Sequence, residues 1–201
     1  MRLLTLLIVV CSLAWASLSH AADGPGVATV RKANDAVSEL IKKEAPAGSA
    51  EEKRLAEEIN TKLKGFLDID ELGQRALRDH WGKLTAPQKK QFLELLRQLV
   101  EANYVKALRG NRQYEVRYVK EEPEGADIRV YTELTLKKPD RTDTISVDYV
   151  LRKDKDSWRA FDLVTDGVGL VENYRAQFNK IMAKEGFDGL VARMKKKQTG
   201  A

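Results

Sequence analysis

Near residue 112 the hydrophobic period of this chain changes from about 3.6 residues to two, and that change dictates the class of fold. Upstream, apolar residues recur at helical spacing. Val27, Val30, Val37, Leu40 and Ile41 mark a helix over residues 27–44; Leu55, Ile59 and Leu63 mark a second that runs to Gly65. Ile69, Leu72, Ala76 and Leu77 lead to a third ending at Trp81-Gly82, and Phe92, Leu95, Leu96, Leu99, Val100, Tyr104 and Leu108 carry the longest, closed by Gly110. Three of these helices have start signals: Ser49 with Glu52, Asp68 with Glu71, and Thr85 with Gln88. In each pair an oxygen-bearing side chain stands three residues before one that can reach back, so two orphaned backbone donors are satisfied together.

Downstream the alternation is that of half-buried strands. Tyr114, Val116 and Tyr118 alternate with charged residues, and so do Ile128, Val130, Thr132, Leu134 and Leu136, then Ile145, Val147, Tyr149 and Leu151. Trp158 to Thr165 makes a fourth strand, and turn signals at Pro123-Glu124-Gly125, Pro139-Asp140 and residues 154–157 separate the four. Sequential strands joined by short turns form an antiparallel meander whose apolar face needs a cover, and the flanking helices supply it. The expected architecture is α+β, a curved antiparallel four-stranded sheet packed against a helical layer.

After the last strand, Val168, Leu170, Val171, Tyr174, Phe178, Ile181 and Met182 spread apolar side chains over more than one narrow stripe. Two arrangements satisfy such a helix: it is wedged between sheet and helical layer, or it joins the inner sheet face in lining an apolar cavity.

Residues 1–21 stand apart. A basic start at Arg2, an apolar run from Leu3 to Ala16 and small residues at Ser19 and Ala21 have the form of a cleaved secretory signal, too short for a membrane span of about 20 residues. Cleavage there leaves 201 − 21 = 180 residues, 22–201, expected to form a single domain. The only cysteine, Cys11, and His20 lie within the leader, so the remaining chain has no thiol and one histidine, His80.

That inventory excludes most chemistry. Without cysteine there is no thiol nucleophile, disulfide or thiolate metal site. His80 sits beside Trp81 at a helix end, and Gly82-Lys83-Leu84-Thr85 lacks the glycine and spacing of a phosphate loop. Asp68 and Asp70 belong to a helix start, and Asp154 and Asp156 to a hairpin turn. Asp162 and Asp166, flanking the end of the last strand, have the chemistry of an acid and base pair but no second polar partner. The net charge of +5, with both signs interspersed, is that of a solvated surface and not a nucleic-acid footprint. The local excess at Met194 to Lys197 fits a helix C-terminus, an anionic headgroup surface or an acidic partner.

Two motifs go further. Trp81, Thr85, Gln88 and Phe92 form W-x-x-x-T-x-x-Q-x-x-x-F; Trp158, Asp162, Gly167, Val168, Leu170, Val171, Asn173, Tyr174, Arg175, Gln177 and Phe178 form a second, longer pattern. In these motifs, and in the order of helices, strands and last helices, residues 22–201 resemble the MlaC family, the periplasmic phospholipid-shuttle proteins also called toluene-tolerance auxiliary proteins. The resemblance implies a non-enzymatic periplasmic carrier with no cofactor or metal. Its fold would enclose an apolar cavity for phospholipid tails, and its partners would be an inner-membrane ABC lipid transporter complex and an outer-membrane lipoprotein complex. On this basis Tyr104, Val147, Tyr149, Phe161, Val168, Leu170, Val171, Phe178 and Ile181 are the expected tail contacts. Arg175 is expected either at the cavity mouth, beside the headgroup, or as a hydrogen-bond donor fixing its helix. Alternatives are a carrier of hopanoid or another hydrophobic ligand, a periplasmic adaptor with a filled core, and a hydrolase on a similar cone-shaped fold using His80 or Asp162.

Overall fold

The computed structural model describes residues 23–110, 114–137 and 140–198, of residues 104–110 the backbone only. The leader expected over residues 1–21 therefore lies outside the described residues. Five helices come first: α1 (Pro25–Ile41), α2 (Ala50–Phe66), α3 (Ile69–Ala76), α4 (Arg78–Trp81) and α5 (Ala86–Gly110). Strands β1 (Tyr114–Glu124), β2 (Asp127–Lys137), β3 (Thr142–Asp154), β4 (Ser157–Thr165) and β5 (Val168–Gly169) follow, and α6 (Leu170–Gln198) closes the fold.

Each start residue caps its helix through the N–H three residues on, but the reach back differs: at Asp68 it is absent, since Asp68 N–H donates to Ala160 O and Glu71 pairs with Arg75. Ser49 Oγ accepts from the backbone N–H of Glu52 at 3.1 Å, and Glu52 reaches back to the N–H of Gly48 at 2.5 Å. Thr85 and Gln88 make the fully reciprocal exchange, Thr85 N–H donating to Gln88 Oε1 at 2.9 Å and Gln88 N–H to Thr85 Oγ1. The helix expected to run to Trp81 is instead two, because Leu77 leaves helical geometry (φ −99°, ψ 20°) to bury its side chain completely. Gly186 (φ 65°) breaks α6, so its C-terminal part folds back until the Gln198 amide reaches Leu95 O and Gln98 Oε1 on α5.

The sheet is a meander in the order β1-β2-β3-β4-β5, each neighbour antiparallel. It has five strands, not the four expected. Asp166 (φ 47°) and Gly167 (φ 84°) make a two-residue reversal with positive φ at both positions, which pairs Val168 and Gly169 with Thr165 and Val164. A two-residue strand running directly into a helix offers no alternation to detect, so the sequence reads as helix there.

One end of the inner sheet face is sealed. The first turn of α1 lies so close to β2 that a Cβ on Gly26 would come within 2.8 Å of Val130 Cγ2. Glu121 of β1 accepts from Val27 N–H at 2.8 Å, and Asn34 donates to the Tyr118 hydroxyl at 3.1 Å, fixing α1 across the sheet. Beneath it Val130 and Leu151 are 0 % exposed. Phe66, at the end of α2, meets Tyr149 edge-on with ring centroids 5.8 Å apart. Asp68, 2 % exposed, joins helices to sheet: it caps α3 through Glu71 N–H and accepts from Arg152 Nε at 2.7 Å, while its own N–H donates to Ala160 O. A charge this buried is tolerable only because it is paired and hydrogen-bonded on several sides.

Candidate functional site

The other end of the sheet is not sealed. Leu134, Leu136, Ile145 and Leu163 face the same side as Val130 and Tyr149 but are only half-buried. Between this end, α5 and the start of α6 lies an open pocket of about 350 Å³. Leu163 and Thr165 of β4 form its floor, Val100 and Asn103 of α5 one wall, and Leu170, Asn173 and Tyr174 of α6 the other. Val168 and Gly169 of β5 make the lip, where Val168 is 60 % exposed.

Local chemistry explains the shape. The tight reversal at Asp166-Gly167 brings the chain back beside β4 and sends α6 off at its end, so strand floor, lip and helical wall come from one continuous stretch. Asp166 holds the turn to β3, its N–H donating to Ser146 O at 3.1 Å and its carboxylate accepting from Ser146 N–H at 3.2 Å. Asp162 accepts from Val171 N–H at 3.0 Å. Burial pushes the Asp162 carboxyl above the ordinary aspartate value, against the opposing pull of the backbone N–H groups of Val171, Leu170 and Leu163.

Tyr174 is the buried end of the wall. Its ring stacks on Phe178 at 5.2 Å; Phe178 meets Phe92 edge-on at 5.4 Å, and Phe92 meets Trp81 at 6.4 Å, so an aromatic ladder backs the pocket. Burial raises the Tyr174 phenol pKa, and the hydroxyl pairs with Asn103. The polar groups of the lining are thus two amides, a hydroxyl and a phenol, all neutral. Such a surface binds apolar matter and orients one polar group; the lining contains no nucleophile beside a base. Among the described residues there is no group of three or more His, Cys, Asp or Glu able to hold a metal ion, and no helix is long and apolar enough to cross a membrane.

A second concavity, of about 530 Å³, lies between α1, α2 and the β3–β4 turn. Although larger, it carries Lys32, Lys62 and Asp156 beside Phe66 and Trp158, so an acyl chain there would strip water from three charges. The smaller, uncharged pocket is the better apolar site.

The expected tail contacts are distributed over this geometry. Val168 and Leu170 line the pocket. Val147 pairs with Thr165 and Tyr149 with Leu163, placing both on β3 beside the floor, with Tyr149 turned onto Phe66. Val171 and Phe178 are buried, the one at the first turn of α6 and the other in the aromatic ladder, and Ile181 is half-buried a turn further on. Phe161 sits at a β-bulge between Val150 and Leu151, with the Arg75 guanidinium 3.8 Å from its ring centroid. Tyr104 lies on α5 next to Asn103, but its side chain is outside the described residues. Arg175 donates twice, at 3.1 and 3.0 Å, to the carbonyl of Arg75, the arrangement of a residue fixing α6 to α3. His80 is on α4 and not in the pocket lining. Sequence reasoning missed Val100, Asn103, Leu163, Thr165, Gly169 and Asn173 as lining; Tyr174, which also lines the pocket, is in the apolar set of the last helix but not among the expected tail contacts. Leu163 was within reach, since it lies opposite Tyr149 in the meander; the bulge at Phe161 hid the parity.

The protein family described as MlaC protein matches residues 31–196. The intermembrane phospholipid transport system binding protein MlaC of Haemophilus influenzae is 21 % identical over 138 residues, 68 % of this chain and 64 % of that protein, just under two thirds of its length. Among solved structures, the phospholipid-binding protein from Ralstonia solanacearum, in complex with a phospholipid, has the same fold, with a TM-score of 0.74 at 24 % identity over 89 % of this chain and 98 % of that one.

Proposed function

The chain belongs to the MlaC family, and from that premise we propose that it is a periplasmic phospholipid carrier. In this reading acyl chains enter at the open end of the sheet, between Leu163, Val168, Leu170 and Tyr174, and the headgroup stays near solvent. The observation that carries the reading is the apolar, uncharged pocket, lined mostly by residues between 163 and 174 of the stretch that matches the family. The fold shared with a phospholipid-bound protein supports it.

The energetics give such a carrier its purpose. Two tails of about 15 methylenes each are held in a bilayer by roughly 24 kcal/mol at ~0.8 kcal/mol per CH₂, which makes unaided escape into water prohibitively slow. A protein that replaces bilayer contacts with an apolar pocket removes that barrier. Because pocket and membrane are similarly apolar, transfer is close to balanced, and its direction comes from the partners: an outer-membrane lipoprotein complex on one side and an inner-membrane ABC transporter complex on the other. Delivery to the periplasm follows from the secretory signal proposed at residues 1–21. The tail contacts we propose are Val168 and Leu170 at the lip and Val147 and Tyr149 beside the floor, joined by Tyr104 on α5. Val171, Phe161, Phe178 and Ile181 stand behind this surface and meet the tail where it runs deeper, while Arg175 fixes α6.

Mass spectrometry of lipid extracted from protein purified without detergent tests the reading. The expected result is phospholipid in stoichiometric amount. A cooperatively folded protein free of lipid would contradict it, and a different bound hydrophobe would keep the carrier but change its cargo.

A further inference from the structure

The pocket's lip is held by a bond from an unexpected place. A helix N-terminus leaves its first N–H groups without helical partners, and the side chain of the residue just before the helix ordinarily caps them. For α6 that residue is Gly169, which has no side chain. The cap comes instead from Asp162, in the middle of β4, whose carboxylate receives Val171 N–H at 3.0 Å across nine residues of chain. Leu170 N–H bonds to the same carboxylate. The approach is close: a Cβ on Gly169 would lie 3.1 Å from Asp162 Oδ2.

This bond closes a loop around the lip. Six of the nine residues lining the pocket fall between Thr165 and Tyr174, the stretch that leaves the sheet after Asp162 and is brought back to it by Asp162. Its outer end is pinned separately, by Asp166 on Ser146. Between the two pins Val168, 60 % exposed, has little packing of its own to hold it. We propose that Asp162 is a positioning residue for lipid binding: it latches the β4–β5–α6 reversal to the sheet and so sets how long the pocket retains an acyl chain. This rests on the carrier reading.

The test is the rate at which a phospholipid with a fluorescent tail leaves the loaded protein for an excess of vesicles of phosphatidylcholine and phosphatidylglycerol. Asp162→Ala removes the latch and is expected to release lipid about tenfold faster, the effect of one lost cap. Asp162→Asn keeps an acceptor oxygen for Val171 N–H and is expected to rescue the rate to within about threefold of the parent. Ser49→Ala, which removes the local cap of α2, is the control for stability alone and is expected to release at the parent rate. Gly169→Ala presses on the latch without removing it, at a backbone conformation alanine accepts, and is expected to fall between parent and Asp162→Ala.

Release from Asp162→Ala no faster than from Ser49→Ala, or an Asn variant as fast as the Ala variant, would overturn the latch while leaving the carrier reading intact. Should Asp162→Ala not fold, Gly169→Ala decides: release at the parent rate overturns the proposal. A parent protein that takes up no phospholipid overturns both.

Discussion

The two ends of the sheet's inner face are built from the same residue types and used differently. At the end under α1 and α2, Val130, Leu151 and Ala160 are fully buried, and α1 lies so close that a Cβ on Gly26 would meet Val130 Cγ2 at 2.8 Å. At the other end Leu134, Ile145 and Leu163 stay half-buried, and Val168 projects from the lip. Alternating apolar residues thus serve a core at one end and line an open pocket at the other, and what separates the two is the helix laid across them. α1 lies flat because its first turn has a glycine where it meets β2. α6 leaves the sheet at an angle fixed by a two-residue turn and a carboxylate.

The largest effect that would sharpen this contrast is at the sealed end. Leu151→Ala removes a fully buried side chain and is expected to cost about 2–5 kcal/mol in urea-denaturation stability, with any lipid lost only through unfolding. At the open end the order reverses. Val168→Asp places a carboxylate on the pocket lip at a side chain that is 60 % exposed, so folding stability should move by no more than about 1 kcal/mol. Lipid retained after detergent-free purification is expected to fall at least about tenfold, since the tail would strip water from the charge. A variant that kept its lipid would break the comparison.

A smaller effect concerns pH. Because burial raises the Asp162 carboxyl above the ordinary aspartate value, its ionisation at neutral pH is a cost to the folded state. The stability this group contributes is fully present below the unfolded aspartate pKa of about 3.9 and is lost as pH rises through the raised folded value. The difference in stability between the parent and Asp162→Asn, measured by urea denaturation, is therefore expected to move in the parent's favour as pH falls through that window. A difference that does not change with pH would contradict the assignment.

The smallest effect belongs to the larger concavity. Gly65→Leu points a side chain into its open space from a helical position, so lipid content should be unchanged while stability rises by a few tenths of a kcal/mol. Loss of lipid in this variant would move the site to the other end of the molecule.

Much of this arrangement was legible in the sequence because its causes are local. Ser49 with Glu52 and Thr85 with Gln88 announce helix starts through bonds within one turn, and the alternation from Ile128 to Leu136 needs only a neighbouring strand to be satisfied. What escaped notice depends on pairing across the fold. β5 is too short to have a period, and the bulge at Phe161 shifts the parity of β4, so Leu163 rather than Phe161 reaches the pocket. Asp162 reads in sequence as a spare carboxylate with no partner, since its partners are backbone N–H groups eight and nine residues on. Arg175 reads in sequence as a headgroup contact or a helix-fixing donor, because its acceptor, Arg75 O, lies 100 positions away and leaves no local signal.

Occupation of the open end by acyl chains, and not of the groove between α1 and α2, can be tested with a phospholipid bearing a photoactivatable diazirine in one tail. The protein is loaded, irradiated and digested, and the modified residues are located by tandem mass spectrometry. Adducts are expected within residues 163–174 and around Val100 and Asn103. Adducts confined to residues 25–36, 62–66 and 156–158 would contradict occupation of the open end.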